Sequence, residues 1–382
     1  MSRPKHEVAE VIARFGYRFN EKHKPNAYHL RVLGALSMCR TAALGGHKHQ
    51  CDHCGSVSIS YNSCRNHHCP KCQNINQAFW VEDRIEKAYP VKHYHIVFTV
   101  PEVLNTICLL DSKWFYNHLF SCVWDCLRSF GYSHYGVESG AICLLHTWGQ
   151  NLCLHPHIHC IVPALGYSPR GQIRHIGKQG KYLYPVRQLS TKFRGKCMSG
   201  ISGQLALKGI LPQHKTAIEM AWNTPWVVFC EPSLSKPEKV FNYLGQYTHR
   251  VAISNQRIVD IDEQNVRFML KDYRNEGIIK TISLNGVEFL RRFCMHILPK
   301  GFVKIRYYGI YSSRFLSTIL SKAGKMVIKP TELVTERIER IAGIDTHSCP
   351  KCKKGRLIQV SIVPRIRSPV PAFLVFPAYR KL

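Results

Sequence analysis

Three groups of residues in this chain have the types and spacing that chemistry requires. The run His155-Pro156-His157-Ile158-His159-Cys160-Ile161-Val162 alternates imidazoles with apolar residues. On a strand, residues two apart face the same side, so His157 and His159 point together with Ile158 behind them. Their Cα atoms then stand roughly 6.6 Å apart, a span that two imidazoles can close on one ion. A third ligand must come from a neighbouring strand. If segments 140–148 and 157–163 form a hairpin around 150–153, His146 falls nearly opposite His157. Gln150 is the second choice; His155 faces the same way but lies two steps from His159. Three neutral ligands leave a divalent ion its full charge and open positions, which suits a Lewis acid gripping a phosphate. Mg2+ or Mn2+ is the expected ion. Any one of these histidines taken alone reads as packing or phosphate binding; the His-x-His pair with His146 in register favours a metal.

Tyr243-Leu244-Gly245-Gln246-Tyr247 places two phenols four residues apart, on one face if the segment is helical. Such pairs usually pack. Beside a metal-held phosphate, a tyrosine can instead attack phosphorus and store the bond as a phosphotyrosine. A second phenol allows a second strand transfer before the first is resolved. Gly245 would thin the helix for DNA, and Arg250 could hold phosphate.

The third group is Cys51-x2-Cys54 followed by Cys69-x2-Cys72. Each pair can wrap one side of a tetrahedral ion, so Cys51, Cys54, Cys69 and Cys72 are expected to bind one structural Zn2+ with no open position. Cys64, His67, His68, His47 and His49 lie close enough to replace a ligand or build a second site. A further pair, Cys349 and Cys352, has no partner pair after it and could take His347, a distant group or a second copy of itself.

Elements must hold these groups in place. Residues 8–44 read as helical from Val8, Val11, Ile12 and Phe15. Segment 74–88 reads as another helix, 93–100 as a strand, and 102–130 as a long helix closed by Gly131. Strands follow at 140–148, 157–163 and 226–230. Pro237 starts a helix over about 238–248 with Ser235 as its cap. Residues 165–215 read as a Gly- and Lys-rich insertion of loops and short elements. Three regions result: 1–90, helical and zinc-binding; 91–260, a nuclease domain with a basic insertion at 165–235; and 261–382, a basic DNA-binding region with the Cys-x2-Cys tail.

Charge points to the partner. Lys and Arg number 53 against 24 Asp and Glu, a net +29 over 382 residues. Nucleic acid is the usual polyanion for such a chain. No acid lies between Glu138 and Glu219, a stretch carrying ten cations, and the tail from Ser348 has eight cations and no acid. Both suit surfaces that track a phosphate backbone. No apolar run reaches membrane-span length, and the first residues lack a signal peptide's apolar segment. The 17 cysteines of a chain read as cytoplasmic suggest metal ligands or buried thiols.

A His-hydrophobic-His strand followed by a Tyr-x3-Tyr helix resembles the HUH endonucleases, which include rolling-circle replication initiators, relaxases and some transposases. The finer resemblance is to rolling-circle insertion-sequence transposases with an N-terminal zinc-binding domain. It rests on CRTAALGGH (39–47), CDHCG (51–55), YNSCRNHHCPKCQ (61–73), LHTWGQNLCLHPHIHCIVPA (145–164), YLGQYTHRVAISN (243–255), RYYG (306–309) and CPKCKKG (349–355). The resemblance implies an α+β fold: an antiparallel, ferredoxin-like sheet with helices on one face. It implies His146, His157 and His159 as metal ligands and Tyr243 and Tyr247 as nucleophiles. The implied activity is cutting one DNA strand at an element end, staying attached to the 5′ phosphate and transferring that strand, in a bacterial, nucleoid-associated setting. Single-stranded DNA is the implied partner. No Gly-x4-Gly-Lys-Ser/Thr loop occurs, so a helicase would come from the host. The competing readings are a plasmid relaxase or replication initiator with the same chemistry, a non-catalytic zinc-dependent DNA-binding regulator, and a transposase built on carboxylates.

Overall fold

A computed structural model of the chain describes residues 4–177, 183–234, 237–248, 251–272, 275–322, 332–343 and 345–366. The chain begins with α1 (Val8–His23) and α2 (Ala27–Met38). Val8, Val11, Ile12, Phe15 and Phe19 line one buried stripe of α1, and the Asn26 side chain caps α2 by accepting from the His29 N–H. A hairpin of β1 (Gly46–Cys51) and β2 (Val57–Tyr61) follows, then α3 (Gln73–Glu86).

β3 (His93–Thr99), the short α4 (Asn105–Leu110) and α5 (Ser112–Tyr135) come next. The single helix expected over 102–130 is broken at Asp111, whose side chain caps α5 by accepting from the Trp114 N–H. It also runs past Gly131. There the missing Cβ lets the Val137 carbonyl pass: a Cβ would lie 2.8 Å from that oxygen. Gly136, with φ 63°, ends the helix in the left-handed region.

β4 (Gly140–Trp148) and β5 (Leu154–Pro163) form the central hairpin, followed by the small pair β6 (Leu165–Tyr167) and β7 (Ile173–His175). Then come α6 (Val186–Leu207), α7 (Lys215–Asn223), β8 (Val227–Leu234) and α8 (Pro237–Thr248). The stretch expected to be loops therefore holds a 22-residue helix. Its glycines obscure the pattern, yet Gly200 has a packing role: a Cβ there would sit 2.1 Å from the His118 ring of α5. α8 starts at the expected proline; Ser235, Lys178 and Lys181 lie outside the described residues.

The main sheet runs β12-β4-β5-β3-β8, where β12 is Ile305–Gly309. Every neighbouring pair is antiparallel. Without β12, the order β4-β5-β3-β8 built from β3-α5-β4-β5-α6-β8 is a ferredoxin-like βαββαβ unit. The fold is α+β with an antiparallel five-stranded sheet. One face carries Tyr94, Ile96, Phe98, Cys143, Leu145, Ile158 and Cys160 into a core closed by α5 and α6. The other face carries the histidines and is partly roofed by α3 with the segment after it, through Trp80, Ile85, Ala88 and Tyr89, and by α8, through Val240 and Phe241. A partial second helical layer thus adds to the one that the sequence implied.

The C-terminal third does not stand apart. β9 (Ile258–Ile261), β10 (Asn265–Asp272) and β11 (Ile278–Asn285) make a meander. It leads into α9 (Gly286–Met295), whose Phe289 and Phe293 share a core with Val8, Phe15 and Phe19 of α1. β12 completes the main sheet. α10 (Ser313–Lys322) and α11 (Val334–Ala342) follow. Arg337 of α11 pairs with Glu82 at 2.6 Å and Asp83 at 2.7 Å on α3. β13 (Leu357–Val363) returns to pair with β1. Boundaries at 90 and 260 therefore cut through shared cores, because buried apolar area joins the two ends of the chain.

Candidate active site and metal centres

The β4–β5 register sets the histidine site. It pairs His146 with His157 and Leu144 with His159, and it shifts between His146 and Trp148. One ring nitrogen from each of His146, His157 and His159 lies within 4.8 Å of the others. Ring centroids are 4.7 Å apart for His146–His159 and 4.9 Å for His157–His159. Burial, the largest cause, holds His157 down at about 4 and His159 well below its ordinary value; nearby imidazoles push the same way. Both rings are therefore neutral bases near pH 7, the state ligation needs.

Hydrogen bonds select the nitrogen. The His157 Nδ1–H donates to the His155 carbonyl at 2.7 Å, so Nε2 carries the lone pair. His159 Nδ1 lies 2.9 Å from His95 Nε2, with the rings stacked at 3°. In the tautomer where His159 Nδ1–H donates to His95, His159 Nε2 carries the lone pair. Three imidazoles with ring nitrogens converging on one point fit a divalent transition metal or Mg2+-like ion with open positions. His155 is exposed and lies outside the cluster. Gln150 sits in the β4–β5 turn, where its carbonyl accepts from Arg257. His95 was missed in the sequence; its signal was the alternation of 93–99, which puts it on the histidine face once β3 lies beside β5.

α8 lies over this face. The Tyr243 ring meets His95 edge-on, with centroids 5.7 Å apart at 69°. Thr248, at the end of α8, lines a small space with His159, Leu144 and Trp80. The last turn of α8 therefore lies above His159. Tyr247 is in that turn, and its side chain lies outside the described residues, as do His249 and Arg250. Gly245 does not thin the helix for DNA: a Cβ there would lie 2.0 Å from Val81 of α3, so the glycine permits helix packing.

The cysteines group differently from the expected set. Cys51 and Cys54 meet Cys349 and Cys352, while Cys69 and Cys72 meet Cys39 and Cys64. The hairpin explains the separation. Cys51 and Cys54 sit at its turn, whereas Cys39 and Cys64 flank its open end. A strand of this length holds the two ends about 17 Å apart, far beyond the reach of one ion. Sγ–Sγ distances are 3.7 Å for Cys51–Cys352, 3.8 Å for Cys54–Cys349 and 3.7 Å for Cys64–Cys72. Tetrahedral Zn–S bonds of about 2.3 Å require edges of about 3.8 Å. Backbone N–H groups of Cys54 and Gly355 donate to Cys51 and Cys352 Sγ, as in a turn wrapped on an ion. Mutual hydrogen bonding pulls Cys39 down to about 2 and pushes Cys64 up to about 12; a bound cation would remove that conflict by taking all four thiolates. A further group, His118, Cys122 and Cys197, lies between α5 and α6 on the opposite side of the sheet.

The acid-free stretch is placed less usefully than its charge suggested. α6 buries Leu189, Phe193, Cys197 and Met198 against the sheet face opposite the histidines. Its Lys196 pairs with Asp125 of α5 at 3.2 Å. No helix among the described residues is long and apolar enough to cross a membrane.

Comparison with known proteins fits this layout. Residues 11–100 match the transposase zinc-binding domain of IS91 type, and residues 140–317 match the Y2 putative transposase domain. The first span holds one complete cysteine cluster and half of the other; the second holds the histidine cluster and α8. The putative transposase y4qJ of Sinorhizobium fredii is 38% identical over 392 aligned positions, covering 97% of this chain and 98% of that one. The transposase for insertion sequence element IS801 of Pseudomonas savastanoi pv. phaseolicola is 24% identical over 339, covering 85% and 81%. No solved structure matches the chain significantly. With its zinc-binding domain, its cysteine clusters and a relative alike along nearly its whole length, the chain belongs to the IS91-type insertion-sequence transposases.

Proposed function

We propose that this transposase nicks and transfers single-stranded DNA through a covalent 5′-phosphotyrosine, in rolling-circle-type transposition. The observation that carries this reading is the last turn of a Tyr-x3-Tyr helix lying over three histidines whose ring nitrogens converge. Bound there, Mg2+ or Mn2+ would polarise the scissile phosphate and offset charge on its oxygens. The chain's own residues do the rest. His95 holds His159 in the ligating tautomer, and the His155 carbonyl does the same for His157. Tyr243 or Tyr247 supplies the phenol oxygen that attacks phosphorus. An O–P bond to tyrosine forms while the bond to the upstream 3′-oxygen breaks. The phenol proton leaves to solvent, and the departing 3′-oxygen takes one up. Attack by a 3′-hydroxyl on the phosphotyrosine reverses the step and seals a strand. Host helicase or replication proteins would supply the unwinding.

The test is a denaturing gel of 5′- and 3′-labelled single strands from the element ends, with and without Mn2+. Wild type should give a metal-dependent adduct on the 5′-phosphate side, absent from the Tyr243→Phe Tyr247→Phe double variant. Cleavage that survives the double variant refutes tyrosine chemistry. Binding with no cleavage by wild type favours a DNA-binding regulator.

A further inference from the structure

A cavity of about 480 Å³ opens beside the histidine cluster, between the cysteine-rich region, the end of β4 and the segment after α9. Its wall includes the rings of Tyr28, Trp148 and Phe302, and its polar groups include His68, His296 and Lys304. Trp148 joins the two sites: its ring stacks on His146, with centroids 4.7 Å apart at 22°. The segment Val251–Ala252, just beyond α8, closes another part of the wall. One cavity is thus bounded by the metal-site strand and by the chain that leaves the tyrosine helix.

Its chemistry is specific. Among the described residues no Asp or Glu lines it. Lys304 Nζ has no hydrogen-bond or ion-pair partner among the described residues, and burial holds that amine down at about 8. Lys304 is partly buried, and its amine is a donor available to an oxygen acceptor that enters the cavity from outside the chain. The His68 ring is likewise unbonded among the described residues and lines the same wall. His296, by contrast, is fixed by the Leu152 carbonyl at 3.1 Å and the Thr147 hydroxyl at 3.2 Å. Aromatic faces, one lysine donor among the described lining residues, imidazoles and a volume typical of small-ligand sites describe a slot for a flat heterocycle carrying carbonyl oxygens.

We propose that this cavity takes one unpaired nucleobase of the strand engaged at the histidine cluster, stacked against Trp148 and Tyr28, with Lys304 donating to a base carbonyl oxygen. The occupant follows from the cavity's position: a strand whose phosphate sits at His146 has its adjoining base within reach of the ring stacked on His146. Thymine, cytosine and guanine offer the carbonyl; adenine does not. The proposal rests on the nuclease reading for its location and adds a subsite that senses one base.

Affinity of zinc-loaded protein, without Mg2+ or Mn2+, for a 12-nucleotide oligothymidylate is compared with that for an abasic strand of equal length. Both strands carry the same phosphates, so the salt-dependent term cancels. Wild type should prefer the thymidylate by about 5- to 150-fold for one stacked base. Lys304→Met and Tyr28→Ala should each shrink that ratio, and Tyr28→Phe should keep it. Zinc content and circular dichroism establish that the variants fold. An unchanged ratio in both folded variants overturns the proposal. Independently, wild type is photo-crosslinked to 5-iododeoxyuridine strands; adducts at Trp148, Tyr28 or Phe302 support the slot, and adducts only elsewhere overturn it. Because this binding assay contains no Mg2+ or Mn2+, it does not depend on cleavage; failure to nick DNA in the Mn2+-containing gel counts against the nuclease reading alone and leaves the base preference measurable.

Discussion

Serine replacement of Cys349 and Cys352 tests the cysteine grouping. The structure makes this pair half of a four-thiol site with Cys51 and Cys54, at Sγ–Sγ distances of 3.7 and 3.8 Å. Two oxygen-for-sulfur replacements remove half of the soft ligands, so zinc measured by mass spectrometry should fall from about two ions per chain to about one. The variant Cys51→Ser Cys54→Ser should match it, whereas Cys64→Ser Cys69→Ser should lose the other ion. An ion here also ties together residues 301 apart in sequence. Closing a loop of that size is worth up to about 5 to 6 kcal/mol by chain entropy. Without it only strand pairing holds β13 to β1, and limited proteolysis should cut the tail beyond residue 343 in the variant before it does so in wild type. Two ions retained in Cys349→Ser Cys352→Ser, with an uncut tail, would refute the grouping and restore the single site made of Cys51, Cys54, Cys69 and Cys72.

His95→Ala should weaken Mn2+ binding at the histidine cluster about 10- to 100-fold, the usual loss when a partner that orients a ligand is removed; calorimetry on zinc-loaded protein reads it, and an unchanged affinity would remove His95 from the site. Gly245→Leu should lower stability by roughly 1 to 3 kcal/mol through overpacking on Val81, measured by denaturant unfolding. His296 is buried and held at about 4, below its unfolded value of about 6.5. Between those values the unfolded chain binds the proton and the folded chain does not, so this stability is present above pH 6.5 and lost as pH falls toward 4. Replacing His296 by Asn should flatten that acid limb by up to about 3 kcal/mol relative to wild type; identical limbs would contradict a neutral buried ring.

Much of the site was legible locally because strand and helix periods act over a few residues. The spacing of His157 and His159, the pairing of His146 across a short hairpin and the helix starting at Pro237 all follow from period-2 and period-3.6 geometry. What failed was whatever depended on distant chain. α6 was hidden because glycines blur a helical pattern, and only the His118 ring packed against Gly200 shows why one of them is there. The basic charge of that helix suggested a DNA track, but its apolar stripe fixes it on the sheet face away from the histidines.

By itself the sequence determined the chemistry at hand: imidazoles two apart on a strand, phenols four apart on a helix, thiols in turn-forming pairs and an excess of cations. Those are properties of residue type and short-range spacing, and short-range backbone geometry is nearly independent of the rest of the fold. Only the tertiary structure decided which groups meet. β3 lying beside β5 gave His159 its partner His95. The length of the β1–β2 hairpin separated cysteines close in sequence, and β13 folding back on β1 joined cysteines about 300 residues apart. Partner choice is set by buried area and strand pairing summed over the whole chain, and a motif's local spacing carries no record of that sum.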